Sequence, residues 1–259
     1  MQPWGGFYHH YPKFFSDNSI KQNRMIMKKL LTLSLIWLVV TACSGQSKGP
    51  QTTRTLKVAD FTKLSMGSAF KINVEQGSTF RVTVSGREDD LDDLEYDVSR
   101  GTLKLSYKNT KWNRNREGVQ VEVTMPNLDG VDFSGASTAK VKGFRGGRGM
   151  DIDVSGASKV EMDFSADKVS VDLSGASRLT LMGKAERLEG EMSGASTFDG
   201  KDFPVKEAKL EASGASSASV VSSSVLEADA SGASRIRYSG SARQVRSSTS
   251  GASSISRSN

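Results

Sequence analysis

Histidine and cysteine are nearly missing from this 259-residue chain. The two histidines are His9 and His10, and the one cysteine is Cys43. Everything after Cys43 therefore lacks Ser-His-Asp and Cys-His nucleophile activation and the usual zinc ligand sets. It also lacks disulfides, which an exported protein could have used. Stability there has to come from packing and backbone hydrogen bonds.

Long apolar runs are scarce too. Residues 27–43 read MKKLLTLSLIWLVVTAC, with an apolar stretch over residues 30–40. That stretch is shorter than the ~20 residues of a membrane-spanning helix. Two lysines, a short apolar run and small residues read as a secretory signal peptide over residues 27–42. Val40-Thr41-Ala42-Cys43 looks like a bacterial lipobox, whose cysteine is acylated and becomes the new N-terminus. The other reading of Cys43 is a buried free thiol. Residues 1–26 read as an extension upstream of the true start, Met27 or Met25, or as an unusually long leader. Residues 43–53 form a lipidated polar tether.

A strong net charge is a further lack. The chain is formally +6 with 35 basic and 29 acidic residues. Residues 1–42 hold five of the basic and one of the acidic residues, leaving 30 against 28, a net +2. Nucleic acid is therefore not an expected partner.

What the chain has in abundance is one tetrapeptide. SGAS begins at Ser134, Ser155, Ser174, Ser193, Ser213, Ser231 and Ser250, at spacings of 21, 19, 19, 20, 18 and 19 residues. A period near 19 signals a solenoid. With the first Ser as position zero, position −1 reads Phe133, Val154, Leu173, Met192, Ala212, Ala230, Thr249, and position −3 is mostly apolar as well. Position −2 reads Asp132, Asp153, Asp172, Glu191, Glu211, Asp229, Ser248. This alternation is a strand with one buried face. Position +5 is apolar in all seven copies, from Ala139 to Ile255. Inward positions are odd on both sides of SGAS, yet the invariant Ala at +2 is even, so the chain turns there. Gly supplies the backbone freedom of a corner, and the Ala is expected to point inward. The expected fold is all-β: a right-handed parallel β-helix with coils of about 19 residues and seven SGAS corners. Residues 54–259 form one domain, with 54–127 as irregular first coils or a cap and 128–259 as the repeats. The inward columns shrink toward the C-terminus, so either the tail or another subunit is expected to cover that end.

Two segments before the repeats are charge-biased. Residues 87–97, REDDLDDLEYD, carry seven acidic residues in a loop without the spacing of a calcium loop. Residues 108–118 carry Lys108, Lys111, Arg114 and Arg116 around Trp112. They read as a solvated hairpin loop, or as a site for an anionic glycan or lipid head group with Trp112 stacking on a sugar. The acidic column at −2 reads as the solvated face of a sheet, or as a track that binds divalent cations or mimics a polyanion. Lys159, Arg178 and Arg235 at +4 are placed to offset it across the corner. No cofactor and no metal site is expected.

The run GTLKLSY, then VQVEVTMPNLDGVDFSGAS, followed by SGAS coils, resembles the head GIN domain family of auto-transporter adhesins, common among Bacteroidetes lipoproteins. The sharpest pieces are Val123-Thr124-Met125-Pro126-Asn127-Leu128 and Ser134-Gly135-Ala136-Ser137. The resemblance implies an all-β solenoid and a cell-envelope location, and brings no catalytic residues. An auto-transporter barrel needs amphipathic strands with aromatic girdles. The last aromatic here is Tyr238, so export is expected to rest on the signal peptide and lipid. Ser44 after the lipid cysteine points to the outer membrane, on either face.

Three functions follow. The first is a non-catalytic envelope lipoprotein, held to the membrane by its lipid, whose surface binds glycan or protein. The second is a polysaccharide-active enzyme, whose site would interrupt the repeat near residues 143–149. The third is a scaffold that self-assembles into a homo-oligomer through the solenoid ends.

Overall fold

A computed structural model describes residues 50–108 and 116–258, all within one compact unit, Gly49–Asn259. The signal peptide, Cys43 and the basic-loop residues Lys111, Trp112 and Arg114 lie outside the described residues. The expected all-β solenoid is what the chain forms.

Its body is five long strands, each running from one SGAS to the next: β9 (Thr138–Val154), β10 (Lys159–Leu173), β11 (Arg178–Met192), β12 (Thr197–Ala212) and β13 (Ser217–Ala230). They pair parallel and in register, Lys159 opposite Arg178 through Leu173 opposite Met192. Each strand bends once midway, so every rung has two corners and lends one half-strand to each of two sheets. The bend absorbs the variation in period. Register shifts fall at residues 163–166 of β10 against β9, 180–182 of β11 against β12, and 200–207 of β12 against β13. The SGAS corners keep their alignment as a result. The last rung divides into β14 (Arg235–Ser239), β15 (Gln244–Thr249) and β16 (Ser254–Arg257).

The corner carries the parallel ladder through without a break. Ser155 N–H donates to Phe133 O at 3.0 Å, Ala157 N–H to Gly135 O at 2.7 Å and Lys159 N–H to Ser137 O at 2.9 Å. The same three bonds recur to the last corner, where Ala252 N–H donates to Gly232 O at 2.7 Å. Glycine is required at +1 for two reasons. All seven have φ between +68° and +78°, a region that costs an L-residue about 1–2 kcal/mol. A Cβ on Gly175, Gly194, Gly214, Gly232 or Gly251 would also lie 2.6–2.8 Å from the glycine carbonyl of the rung before.

One expectation is overturned. The invariant alanine points outward: Ala136, Ala157 and their counterparts are exposed in all seven corners. The second serine points inward instead. Ser137, Ser158, Ser177, Ser196 and Ser234 are each 1% exposed. The first three residues of SGAS form the bend, and the odd-position rule runs through to +3.

The core is one column of side chains between the sheets. It includes Phe133, Val154, Leu173 and Met192 at −1 and Val160, Leu179, Phe198 and Ile236 at +5. Phe164 and Phe203 fill the second bend with ring centroids 5.2 Å apart.

Before the repeats, space and sequence part company. β2 (Lys63–Met66) and β3 (Lys71–Gln76) form the rung beside the first SGAS coil. β6 (Thr102–Tyr107) and β7 (Gln120–Met125), later in the chain, form the rung outside it. Antiparallel strands finish that end. β4 (Arg81–Arg87) lies between β7 and β1 (Gln51–Leu56), and β5 (Leu94–Ser99) pairs with β6. β1 starts inside the stretch expected to be tether. The acidic stretch expected to be a loop is the short helix α1 (Glu88–Asp92) followed by β5. Leu91 and Leu94 anchor it by burial.

Gly175→Ala should destabilise the unit by about 2–5 kcal/mol, combining the αL cost with overpacking. Gly146→Ala, at φ +74° with open space around it, should cost only the conformational part, about 1–2 kcal/mol. Denaturant unfolding of the two variants measures the difference.

Candidate functional site

The in-register pairing turns position −2 into a continuous row. Asp132 stands opposite Asp153, Asp153 opposite Asp172, Asp172 opposite Glu191, Glu191 opposite Glu211 and Glu211 opposite Asp229. Six carboxylates thus follow one another at about the 4.8 Å strand spacing. Ser65 and Lys104 extend the row toward the N-terminal end, and Ser65 Oγ donates to Asp132 Oδ2 at 3.0 Å. Ser248 ends it.

Two adjoining concavities lie along this row. One, of about 400 Å³, is lined by Lys63, Asp132, Asp151, Asp153 and Asp172 among others. The second, of about 340 Å³, combines Asp172, Glu191, Glu211 and Asp229 with the corner serines Ser193, Ser213, Ser231 and Ser250. The shelf therefore offers carboxylate acceptors beside hydroxyls that both donate and accept.

Among the described residues one ion pair reaches the row, Lys209 Nζ at 2.9 Å from Glu211 Oε1. Lys63 Nζ lies beside the row, 2.8 Å from Asp151 Oδ2. Burial, together with Asp172, Asp132 and Asp151, pushes the Asp153 carboxyl above the usual range, with Lys63 opposing. The cations at +4 do not take the offsetting part expected of them. Lys159 pairs with Glu161 at 2.8 Å on its own sheet. Among the described residues, no ion pair joins Lys159, Arg178 or Arg235 to the −2 row. Nor do three carboxylates, histidines or cysteines converge as a metal site among the described residues.

The described part of the basic loop serves packing. The Arg116 guanidinium sits 4.1 Å from the Tyr107 ring centroid, a cation–π contact, and 3.3 Å from Asp93 Oδ2. Lys108 Nζ donates to Asp92 O at 3.2 Å. Burial pushes the Tyr107 hydroxyl up to about 12, so it stays protonated at neutral pH. The acidic stretch is held from several sides: Arg87 Nε lies 2.9 Å from Asp90 Oδ2, and Arg54 lies 2.6 Å from Asp92 Oδ1. Residues 143–149 carry bulges in β9 and no paired carboxylates. Arg145 there holds Asp163 on the next rung at 2.8 Å.

Sequence reasoning missed the inner serine row. Ser234 Oγ donates to Ala212 O at 3.0 Å, and Ser137 Oγ to Ser134 O at 2.9 Å. The buried hydroxyls of Ser177 and Ser196 have no hydrogen-bond partner among the described residues. Position +3 is odd, like every other inward position, and that parity was the available signal.

A family model described as "Putative auto-transporter adhesin, head GIN domain" matches residues 60–242. Solved structures share the fold. A "putative adhesin" of Bacteroides fragilis superposes with a TM-score of 0.77 at 22% identity. A "putative lipid binding protein" of Parabacteroides distasonis gives 0.65 at 19%, and a "putative adhesin" of Parabacteroides merdae 0.62 at 16%. In each case 82% of this chain and 98% of the other are covered. A comparison with curated proteins finds no match.

The raised Asp153 carboxyl has a testable sign. Its folded pKa lies above its unfolded one, so its contribution to stability falls as pH rises between the two and stays unfavourable above them. Asp153→Asn should stabilise the fold at neutral pH by up to about 1 kcal/mol, given its exposure to solvent. That gain should shrink as the pH falls into the carboxylate range. Thermal unfolding across pH checks both statements.

Proposed function

The chain belongs to the head GIN domain family, described as putative auto-transporter adhesins, and from that premise we propose a non-catalytic cell-envelope lipoprotein that binds an extended glycan or protein segment along its carboxylate row. The observation that carries this reading is the unbroken run of six in-register acidic positions beside a shelf of corner serines. A linear, repeating surface matches a linear, repeating ligand. Each rung adds one more weak contact at the same spacing, so affinity grows with length by multivalency. Carboxylates and hydroxyls suit the hydroxyl groups of a neutral glycan or the cations of a basic peptide, and they disfavour polyanions.

The same regularity argues against catalysis. Hydrolysis of a glycoside needs two carboxyl groups with different roles, and the row repeats an acidic residue at the same spacing rung after rung. Nor does the row suit the acyl chain of a lipid, since both concavities along it are lined with carboxylates. The signal peptide and Cys43 support anchorage to the outer membrane.

Binding to a glycan array by the unit Gly49–Asn259 tests the surface. The triple variant Asp172→Asn, Glu191→Gln, Glu211→Gln should weaken binding at least about tenfold, a loss of about 1.4 kcal/mol. Arg178→Gln, on the other sheet, should leave it unchanged. Cleavage of a bound glycan, lost in Asp153→Asn, would overturn the non-catalytic reading. For the anchor, Cys43→Ser should move the protein from the membrane to the soluble fraction and abolish incorporation of labelled fatty acid.

A further inference from the structure

The sheet that carries the carboxylate row has two free edges. At the N-terminal end it finishes in β5, which pairs only with β6 among the described residues. At the C-terminal end it finishes in β15, which among the described residues pairs only with β13. Both strands are six residues long. An unpaired strand exposes a row of backbone donors and acceptors that another chain can complete.

The side chains of the two edges are complementary. Three large apolar side chains are exposed among the described residues, and two of them lie here: Tyr96 on β5 at 45% and Val245 on β15 at 40%. Both occupy inward positions. Tyr96 stands opposite Leu105, and Val245 stands opposite Leu226, each a core residue. They are the two uncovered ends of the core column. The charges are opposite as well. β5 presents Glu95 and Asp97, both exposed. The chain has no acidic residue after Asp229, and Arg243, Arg246 and Arg257 are exposed at the C-terminal end, Arg246 reaching back to Glu227 Oε1 at 2.7 Å.

We propose that the occupant of each edge is a second copy of this chain, stacked head to tail, with β15 of one copy pairing with β5 of the next. β6 runs parallel to the rungs and β5 antiparallel to β6, so β15 of a copy with the same axial direction runs antiparallel to β5. A register that sets Val245 opposite Tyr96 also sets Arg246 opposite Glu95 and keeps both apolar residues inside. Symmetric pairing of β5 with β5 is disfavoured, since a register that sets Tyr96 opposite Tyr96 brings Glu95 against Asp97. The contact is heterologous and has no closure, so it propagates into a filament. On the other sheet β1 extends one strand further, so joined copies are tilted relative to each other.

The unit Gly49–Asn259 suits the test. It holds the whole described core, and the solved relatives are covered over 98% of their length by it. It has no cysteine. Sedimentation over a concentration series should show mass rising without a plateau at dimer. Val245→Glu and Tyr96→Lys should each weaken association at least tenfold, with circular dichroism unchanged. The Tyr96→Cys and Val245→Cys variants, mixed and oxidised, should form disulfides between the two variants, since directly opposed antiparallel residues lie within disulfide range. A monomer at every concentration would overturn the proposal. So would disulfides that form as readily within each variant alone as in the mixture, because they would show symmetric pairing.

Discussion

The stacking of one glycine peptide on the next governs this molecule. From Ala157 onward, each Ala N–H at +2 reaches the Gly carbonyl of the preceding rung at 2.7–2.8 Å, and a Cβ on the glycine of the alanine's own corner would crowd that carbonyl. The bond sets the rise between corners and forbids any slip of register, because a slip would bring a side chain against a backbone. Register in turn decides everything on the flanks. Each residue type conserved in column becomes a row in space: the apolar positions a core, the carboxylates a surface track and the second serines an internal hydroxyl row. Variation in coil length is confined to the opposite bend, where no such bond has to be met. There β9 takes up two extra residues around Gly143 and Gly146.

Much of this could be read from the residues. A fixed period, odd-position hydrophobicity and an invariant glycine together specify a coil, a buried face and a corner. The error over the corner alanine came from judging by side-chain character. Alanine is the more apolar residue, yet parity assigns the interior to the serine, and the tight bend leaves +2 outside. A small polar residue fits where two sheets converge, since its hydroxyl can meet a carbonyl of its own corner, as Ser137 does with Ser134 O. The N-terminal region was less legible for a different reason. Alternation identifies a strand but not its neighbour, and nothing local says that residues 63–76 lie inside residues 102–125. The acidic run misled through its charge. Leu91 and Leu94 within it are core residues, and Arg54, Arg87 and Arg116 hold its carboxylates.

The carboxylate row shows what a repeat can do and what it resists. In-register stacking places like charges one strand apart, which is unfavourable unless solvent, lysines or a ligand relieve it. Exposure supplies part of that relief, and the raised Asp153 carboxyl marks where burial makes it incomplete. A surface that retains such repulsion over six rungs is poor as a stabilising device and good as a row of acceptors.

Stability in a solenoid is close to a sum over adjacent rungs, so its distribution along the axis matters. The N-terminal rungs are closed by antiparallel strands and hold Phe61, Phe70 and Tyr107 in a dense aromatic core. Toward the other end the −1 column shrinks to Ala212 and Ala230 and then to the exposed Thr249, while Ile255 is only half-buried. Each rung near that end buries less apolar surface and gains less from its neighbour, so opening is expected to start there and move inward. Strand β15 has no buried residue; its hydrogen bonds to β13 hold it in place. An edge so weakly held has most to gain from a cover, and the backbone groups left open on its outer side define the shape that cover must have.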